Sequence, residues 1–302
     1  MIFVTLICLF LFSVFLSLSM GAFSGWNSEV FWLLRVPRTL CGIGVGGGIA
    51  VAGALIQASL GNPLADPFVL GISSAAVLGA TIGIVFFYST LSPGIFAFVF
   101  AVLSLFIINF WLKTRIRNTT DILLTGVVAG LFFHACTLLI LALSNPAMWT
   151  ENLNWVLGSI ANKTNSESLA VLLLVLIISF LGWLHWKPLD LLCVDELTAQ
   201  SSGVDIVVYR KRIFVLVALL TAVCVSFTGV IGFIGLLVPH MLRKLRFTSY
   251  RKLLPLTFLG GATLLLFSDV LARVVAKPLE LPVGVILSLL GAPLFLVFIY
   301  RE

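Results

Sequence analysis

Few residues in this chain have the types and spacing that chemistry requires. The three histidines, His134, His185 and His240, lie far apart and share no metal-ligand spacing. The five cysteines, Cys8, Cys41, Cys136, Cys193 and Cys224, fall mostly inside apolar runs and form no C-x-x-C pair. They read as packing residues rather than metal ligands or disulfides. No G-x-x-x-x-G-K-[ST] loop, H-E-x-x-H helix or Ser/His/Asp set is present, so the chain has no phosphate cradle of its own and performs no covalent chemistry. No catalytic residue, metal site or bound cofactor is expected. One charged pair stands out: Asp269 and Arg273 are four residues apart, on one face of any helix that holds them. An ionisable group at the centre of a membrane span costs roughly 2.5–3.5 kcal/mol, which places this pair near a membrane boundary or against protein.

Four segments depart from plain apolar helix. Arg35-Val36-Pro37-Arg38-Thr39-Leu40 precedes a run of small residues that includes Gly42, Gly44, Gly46, Gly47, Gly48 and Gly53. Glycines four apart let helix backbones approach closely in lipid, and Gly44 and Gly48 could equally form a smooth wall beside a solute path. Gln57 to Pro67 contains Asn62-Pro63 and Asp66-Pro67 and continues to Leu70-Gly71-Ile72-Ser73-Ser74. Its prolines fix a non-helical turn, and Gln57, Asn62, Ser73 and Ser74 could line an inner gate. Val194 to Asp205 suits a short exposed helix with a sharp exit at Gly203. Gly229 to His240 interrupts an apolar stretch with glycine and proline, and irregular backbone at membrane depth survives only where protein or water satisfies it.

These segments are held by a chain that composition assigns to a bilayer. Of the 302 residues 61% are hydrophobic and only 10% charged, against about 25% charged in soluble domains. Ten apolar runs follow one another: 2–20, 39–60, 69–88, 94–112, 122–143, 169–186, 213–230, 231–241, 253–273 and 283–300. The first reads as a retained span, and the eighth, short and glycine-led, as a broken or tilted element. A polar stretch at about 151–162 is expected to lie as a short helix on the outer surface. Of the 18 Lys and Arg, thirteen fall on one side of this arrangement (Lys113, Arg115, Arg117, Lys187, Arg210, Lys211, Arg212, Arg243, Lys244, Arg246, Arg251, Lys252 and Arg301). The other five are Arg35, Arg38, Lys163, Arg273 and Lys277. The positive-inside rule makes the first side cytoplasmic, with both termini there, and explains the net charge of +6 without nucleic acid. Trp26, Trp32, Trp111, Trp149, Trp155, Trp183 and Trp186 fall near span ends or in loops, as an interfacial belt requires.

Nine short segments, in order along nearly the whole chain, resemble the FecCD-type permease family of ABC importers for iron-siderophore complexes, haem and cobalamin. They are 35–40, Gly53-Ala54-Leu55-Ile56-Gln57, Asn62-Pro63-Leu64-Ala65-Asp66-Pro67, Leu70-Gly71-Ile72-Ser73, Asp195-Glu196-Leu197, Gly232-Phe233-Ile234-Gly235-Leu236, Val238-Pro239-His240, Leu281-Pro282-Val283-Gly284 and Gly291-Ala292-Pro293. The resemblance implies a single all-α transmembrane permease domain over 1–302 with the type II importer fold and about ten transmembrane helices in the cytoplasmic membrane. It also implies a second permease subunit, identical or related, two cytoplasmic ABC ATPase subunits that use the ATP, and an extracytoplasmic solute-binding protein. It places the ATPase-coupling loop at about 190–210, on Asp195, Glu196, Leu197, Ala199, Ser202 and Gly203, although Ser202 stands where the family usually has leucine. It assigns Arg35, Arg38 and Arg273 to docking of the binding protein, whose carboxylates an arginine fork would suit. The competing classes are an ion-gradient-driven secondary transporter, which should carry carboxylates in several spans where only Asp269 qualifies, and a structural scaffold, which needs no broken eighth element.

Overall fold

The structure is a computed structural model that describes residues 2–21, 28–87, 92–115, 119–277 and 279–300; Trp26, Arg117 and Arg301 lie outside the described residues. Among the described residues the architecture is helical throughout, with no strand. The helices are α1 (Ile2–Ser19), α2 (Ser28–Leu60), α3 (Ile72–Phe86), α4 (Ser92–Arg115), α5 (Thr119–Ala142), α6 (Pro146–Val156) and α7 (Asn165–Trp183). Then come α8 (Trp186–Val194), α9 (Glu196–Ser201), α10 (Ile206–Thr228), α11 (Ile234–Lys244), α12 (Tyr250–Val274) and α13 (Val283–Tyr300). Six of them, α1, α2, α5, α7, α10 and α12, are long and apolar enough to cross a membrane on length and composition alone. Shorter apolar stretches in α3, α4 and α13 accompany them.

The ten apolar runs each become a helix, with α2 as the hub. It packs against α7, α10, α11 and α12, and almost all of its residues from Pro37 to Leu60 are buried. The glycine run explains how one helix meets so many neighbours. A Cβ on Gly46 would collide with the backbone of Gly261 in α12, and one on Gly53 with the backbone of Gly235 in α11. At both crossings two backbones touch directly, where dispersion and close packing, not apolar burial, must hold helices together. Ser17 and Thr39, whose hydroxyls lie 2.8 Å apart, bind α1 to the hub.

Two boundaries differ from the sequence expectation. The second span does not begin at Thr39: helix continues back to Ser28 through Arg35-Val36-Pro37-Arg38. It does so because Phe31–Arg35 is a π-helical turn, with Val36 N–H donating to Phe31 O. Pro37 at the head of the following turn therefore has no intrahelical partner to lose. The outer surface helix is α6, not 151–162. Asn145 accepts from Ala147 N–H as its N-cap, Pro146 opens it, and Gly158 at φ 72° turns the chain away after Val156. The eighth element is broken as expected. Gly229 and Phe233 take φ of 72° and 68°, and the 11-residue α11 reaches about 16 Å, roughly half the hydrocarbon thickness.

Candidate translocation and coupling sites

At the outer end, α1, α2 and α12 meet around Asp269, which is 0% exposed. The Arg38 guanidinium grips it from α2 through Nε and Nη2 at 3.0 and 2.8 Å, and Arg273 pairs with it at 2.9 Å from one turn further along α12. Arg38 turns its remaining nitrogen to Glu280, 2.7 Å away at the surface. The two guanidinium groups supply hydrogen bonds to a carboxylate that is buried away from water. Arg35 and Arg273 have a further task. The carbonyls of Ser17, Leu18, Ser19 and Met20, left without intrahelical donors at the end of α1, accept from Arg273 and Arg35 at 2.8–3.3 Å. The pairing of Asp269 with Arg273 expected from their spacing is present, whereas no local sequence signal marks the contact with Glu280 or the capping of α1. Arg35 and Arg273 are only 6% and 3% exposed, so within this subunit their guanidinium groups are held in protein; all three arginines border a small cavity of about 180 Å³, and of the three only Arg38 also borders a larger one.

That larger cavity has a volume of about 800 Å³. Arg38, Asp269, Lys163 and Glu280 line its charged side, Asn154 and Trp155 of α6 one wall, and Phe227, Pro282 and Val283 its apolar side. Buried Asn152 donates to Thr81 Oγ1 at 2.6 Å and so fixes α6 on α3.

At the inner end, α9 stands at the surface between α8 and α10. Val194 and Leu197 project from this region at 76% and 73% exposure, whereas Ala199 is fully buried and anchors the opposite face. Gly203 at φ 84° makes the exit turn, closed by Gly203 N–H to Gln200 O and Val204 N–H to Ala199 O. The Ser202 hydroxyl folds back onto Thr198 O at 2.8 Å instead of projecting. Asp195 sits at the N-cap position without a side-chain bond, and Glu196 pairs with Arg210. Arg210 also donates to Ser59 O at 2.9 Å, at the inner end of α2. One guanidinium thus connects the exposed short helix to the hub. Nothing in the spacing of Glu196, Arg210 and Ser59 signals this contact.

The remaining candidates separate by position. Gly44 and Gly48 face α7, where Leu172 and Val175 cover them, and neither borders open space in this subunit. Gln57 is buried; it donates to Gly235 O at 3.1 Å and accepts from Arg243, tying α2 to α11. Asn62 accepts from Leu64 N–H at 2.9 Å within the inner turn. Ser73 is buried in the first turn of α3, and Ser74 faces Gly130 of α5. Asp66 caps the 3-10 turn Pro67–Leu70 through Phe68 N–H at 2.9 Å, and burial pushes its carboxyl up to about 6.

Comparison with known proteins decides what this scaffold is. The family model described as the FecCD transport family matches residues 1–301. The chain belongs to the FecCD transport family. Among FecCD-related proteins, it is 37% identical to the vitamin B12 import system permease protein BtuC of Vibrio cholerae, over 94% of this chain and 87% of that one. It is 36% identical to the hemin transport system permease protein HmuU of Yersinia pestis, over 95% and 91%. Its structure superimposes with a TM-score of 0.92 on a metal-chelate type ABC transporter in an inward-facing conformation, at 28% identity, over 100% of this chain and 99% of that one. PsaBC from Streptococcus pneumoniae shares the fold alone, with a TM-score of 0.62 at 21% identity. This FecCD member is therefore a multi-pass permease of the inner membrane and not itself a catalytic enzyme.

Proposed function

We propose that the chain is one of two permease subunits of an ATP-driven importer that carries a metal chelate, such as a siderophore complex or haem, or cobalamin. The observation that carries this reading is the full-length match to a metal-chelate type ABC transporter, together with relatives named for vitamin B12 and hemin transport. The inner surface supports the division of labour. Exposed Val194 and Leu197 on a short helix fixed to α2 are what a cytoplasmic motor could grip, and the ATP belongs to that motor because this chain has no phosphate loop. Asp195, Glu196, Leu197, Ala199, Ser202 and Gly203 make up this coupling site. At the outer end, Arg38 and the cavity beside it present charge to an extracytoplasmic binding protein, with Arg35 and Arg273 holding the platform from behind. Asn62, Ser73 and Ser74 flank the inner exit.

An ion-driven mechanism needs a carboxylate free to take up and release a proton or sodium ion within the membrane. Asp269 is held by two guanidinium groups, which opposes that role. The test is transport by vesicles that contain this chain, its ATPase and its binding protein. Cargo entry should require ATP and persist when ion gradients are collapsed; entry driven by a gradient without ATP would reverse the assignment.

A further inference from the structure

The face of α7 turned away from the protein is a stripe of exposed Leu169, Leu173, Leu176, Ile177, Phe180 and Leu184 at helical spacing. In a membrane permease such a stripe meets hydrocarbon. It ends at the cytoplasmic surface in a fixed aromatic and cationic group. The Phe180 and Trp183 rings stack with centroids 5.8 Å apart, and Trp183 Nε1–H donates to Arg251 O at 3.0 Å. The Trp186 ring is flanked by the Lys187 ammonium and the Arg251 guanidinium, each 5.5 Å from its centroid. Lys187, Arg251 and Lys252 are exposed, and among the described residues none forms an ion pair. The carboxylate beside them, Asp190, is already occupied by Tyr250 N–H and the Ser249 hydroxyl at the start of α12. Arg251 and Lys252 also lie in the first turn of this 25-residue helix, where the helix dipole disfavours cations. The group therefore has an unneutralised positive charge where the apolar stripe ends.

We propose that Lys187, Arg251 and Lys252, positioned by Trp183 and Trp186, bind the phosphate of an anionic phospholipid in the cytoplasmic leaflet, whose acyl chains lie along the α7 stripe. Continuity between the apolar stripe and the cations selects a lipid over a soluble partner, which would meet the cations but not Phe180 or Leu184. Clustered cations beside a membrane segment each contribute on the order of 1 kcal/mol of attraction to an acidic surface, so loss of all three should weaken binding by about a hundredfold.

The test is native mass spectrometry of the full chain released from nanodiscs containing phosphatidylglycerol and phosphatidylcholine. The wild type should retain phosphatidylglycerol selectively. The triple variant Lys187→Gln/Arg251→Gln/Lys252→Gln should lose that retention, while Lys211→Gln/Arg212→Gln, which removes two exposed cations at the inner end of α10, should keep it. The single variants Lys187→Gln and Lys252→Gln, expected to lose retention in part, preserve the test if the triple variant does not fold. Equal retention by wild type and triple variant would overturn the proposal. So would displacement of the lipid by millimolar inorganic phosphate, which would indicate a free-anion site. A third contrary result is unchanged lipid retention with loss of ATPase association, which would assign the cations to the motor.

Discussion

Arg210 at the inner end and Arg38 at the outer end connect this permease's surfaces to its interior. Arg210 joins Glu196 of α9 to the Ser59 carbonyl of α2; the charge-assisted bond to the carbonyl is worth about 1.5–3 kcal/mol and the exposed pair with Glu196 about 0–1 kcal/mol. Arg210→Gln should leave the exposed Val194 and Leu197, the proposed docking surface, intact, so the ATPase should still co-purify, while cargo moved per ATP hydrolysed falls about tenfold. Arg210→Lys, with one point charge instead of a fork, should recover part of the loss. An unchanged ratio of transport to hydrolysis in Arg210→Gln would show that motion enters the hub elsewhere. At the outer end, Asp269→Ala would leave Arg38 and Arg273 facing each other in a buried site, and removal of one partner of a buried pair costs about 3–5 kcal/mol. The variant should unfold at lower temperature in detergent, and more severely than Glu280→Ala, which removes only a surface carboxylate from Arg38.

At the scale of elements, close approach and turn chemistry decide what each helix tolerates. Gly53→Ala would place a methyl group within the backbone of α11 and should abolish folded expression, whereas Gly232→Ala, with nothing near its missing Cβ, should express normally; size-exclusion profiles separate these outcomes. The turn after α2 should respond to acid. The Asp66 carboxyl is raised from 3.8 to about 6 by burial, so between these values the folded chain holds a proton that the unfolded chain has lost. Stability should be greatest below about pH 4 for this group and decline as pH rises through 6; Asp66→Asn should flatten that slope in thermal melts. The sequence discloses elements to the extent that their signals are local. The Gly203 exit after α9 and the glycine-led break before α11 are signals within a few residues, and both are used by the fold, whereas the apolar pattern at 151–162 overrides the Asn145-Pro146 start of α6 in the sequence. The π-helical turn that extends α2 to Ser28 carries no such mark, because its widened geometry leaves the residue types unconstrained. The Asp269–Arg273 pair is legible at four-residue spacing, whereas its contacts with Arg38 and the Arg210 bridge join residues far apart in sequence. Only the packed helices bring those together.

At the scale of the whole molecule, polar groups on the exposed faces, more than hydrophobicity, separate the faces that meet lipid from the face that meets the second permease subunit. The stripe of α7 contains only carbon side chains along its exposed positions, which suits lipid. The exposed face of α5 contains Leu124, Val128, Leu131 and Phe132 but also His134, eight residues or about 12 Å from the outer end of the helix. A side chain with two polar nitrogens at that depth is costly against hydrocarbon and is satisfied by a protein neighbour or a water-filled path. With α5 packed against α3 by its other face, His134 faces out of the subunit, where the seam between two permease subunits and the solute path between them would supply that neighbour. In a background lacking the five native cysteines, His134→Cys should react with a water-soluble thiol reagent and cross-link to a second subunit, and Leu173→Cys on α7 should do neither. Reaction at Leu173→Cys with protection at His134→Cys would exchange the two faces, placing α7 at the seam and α5 against lipid.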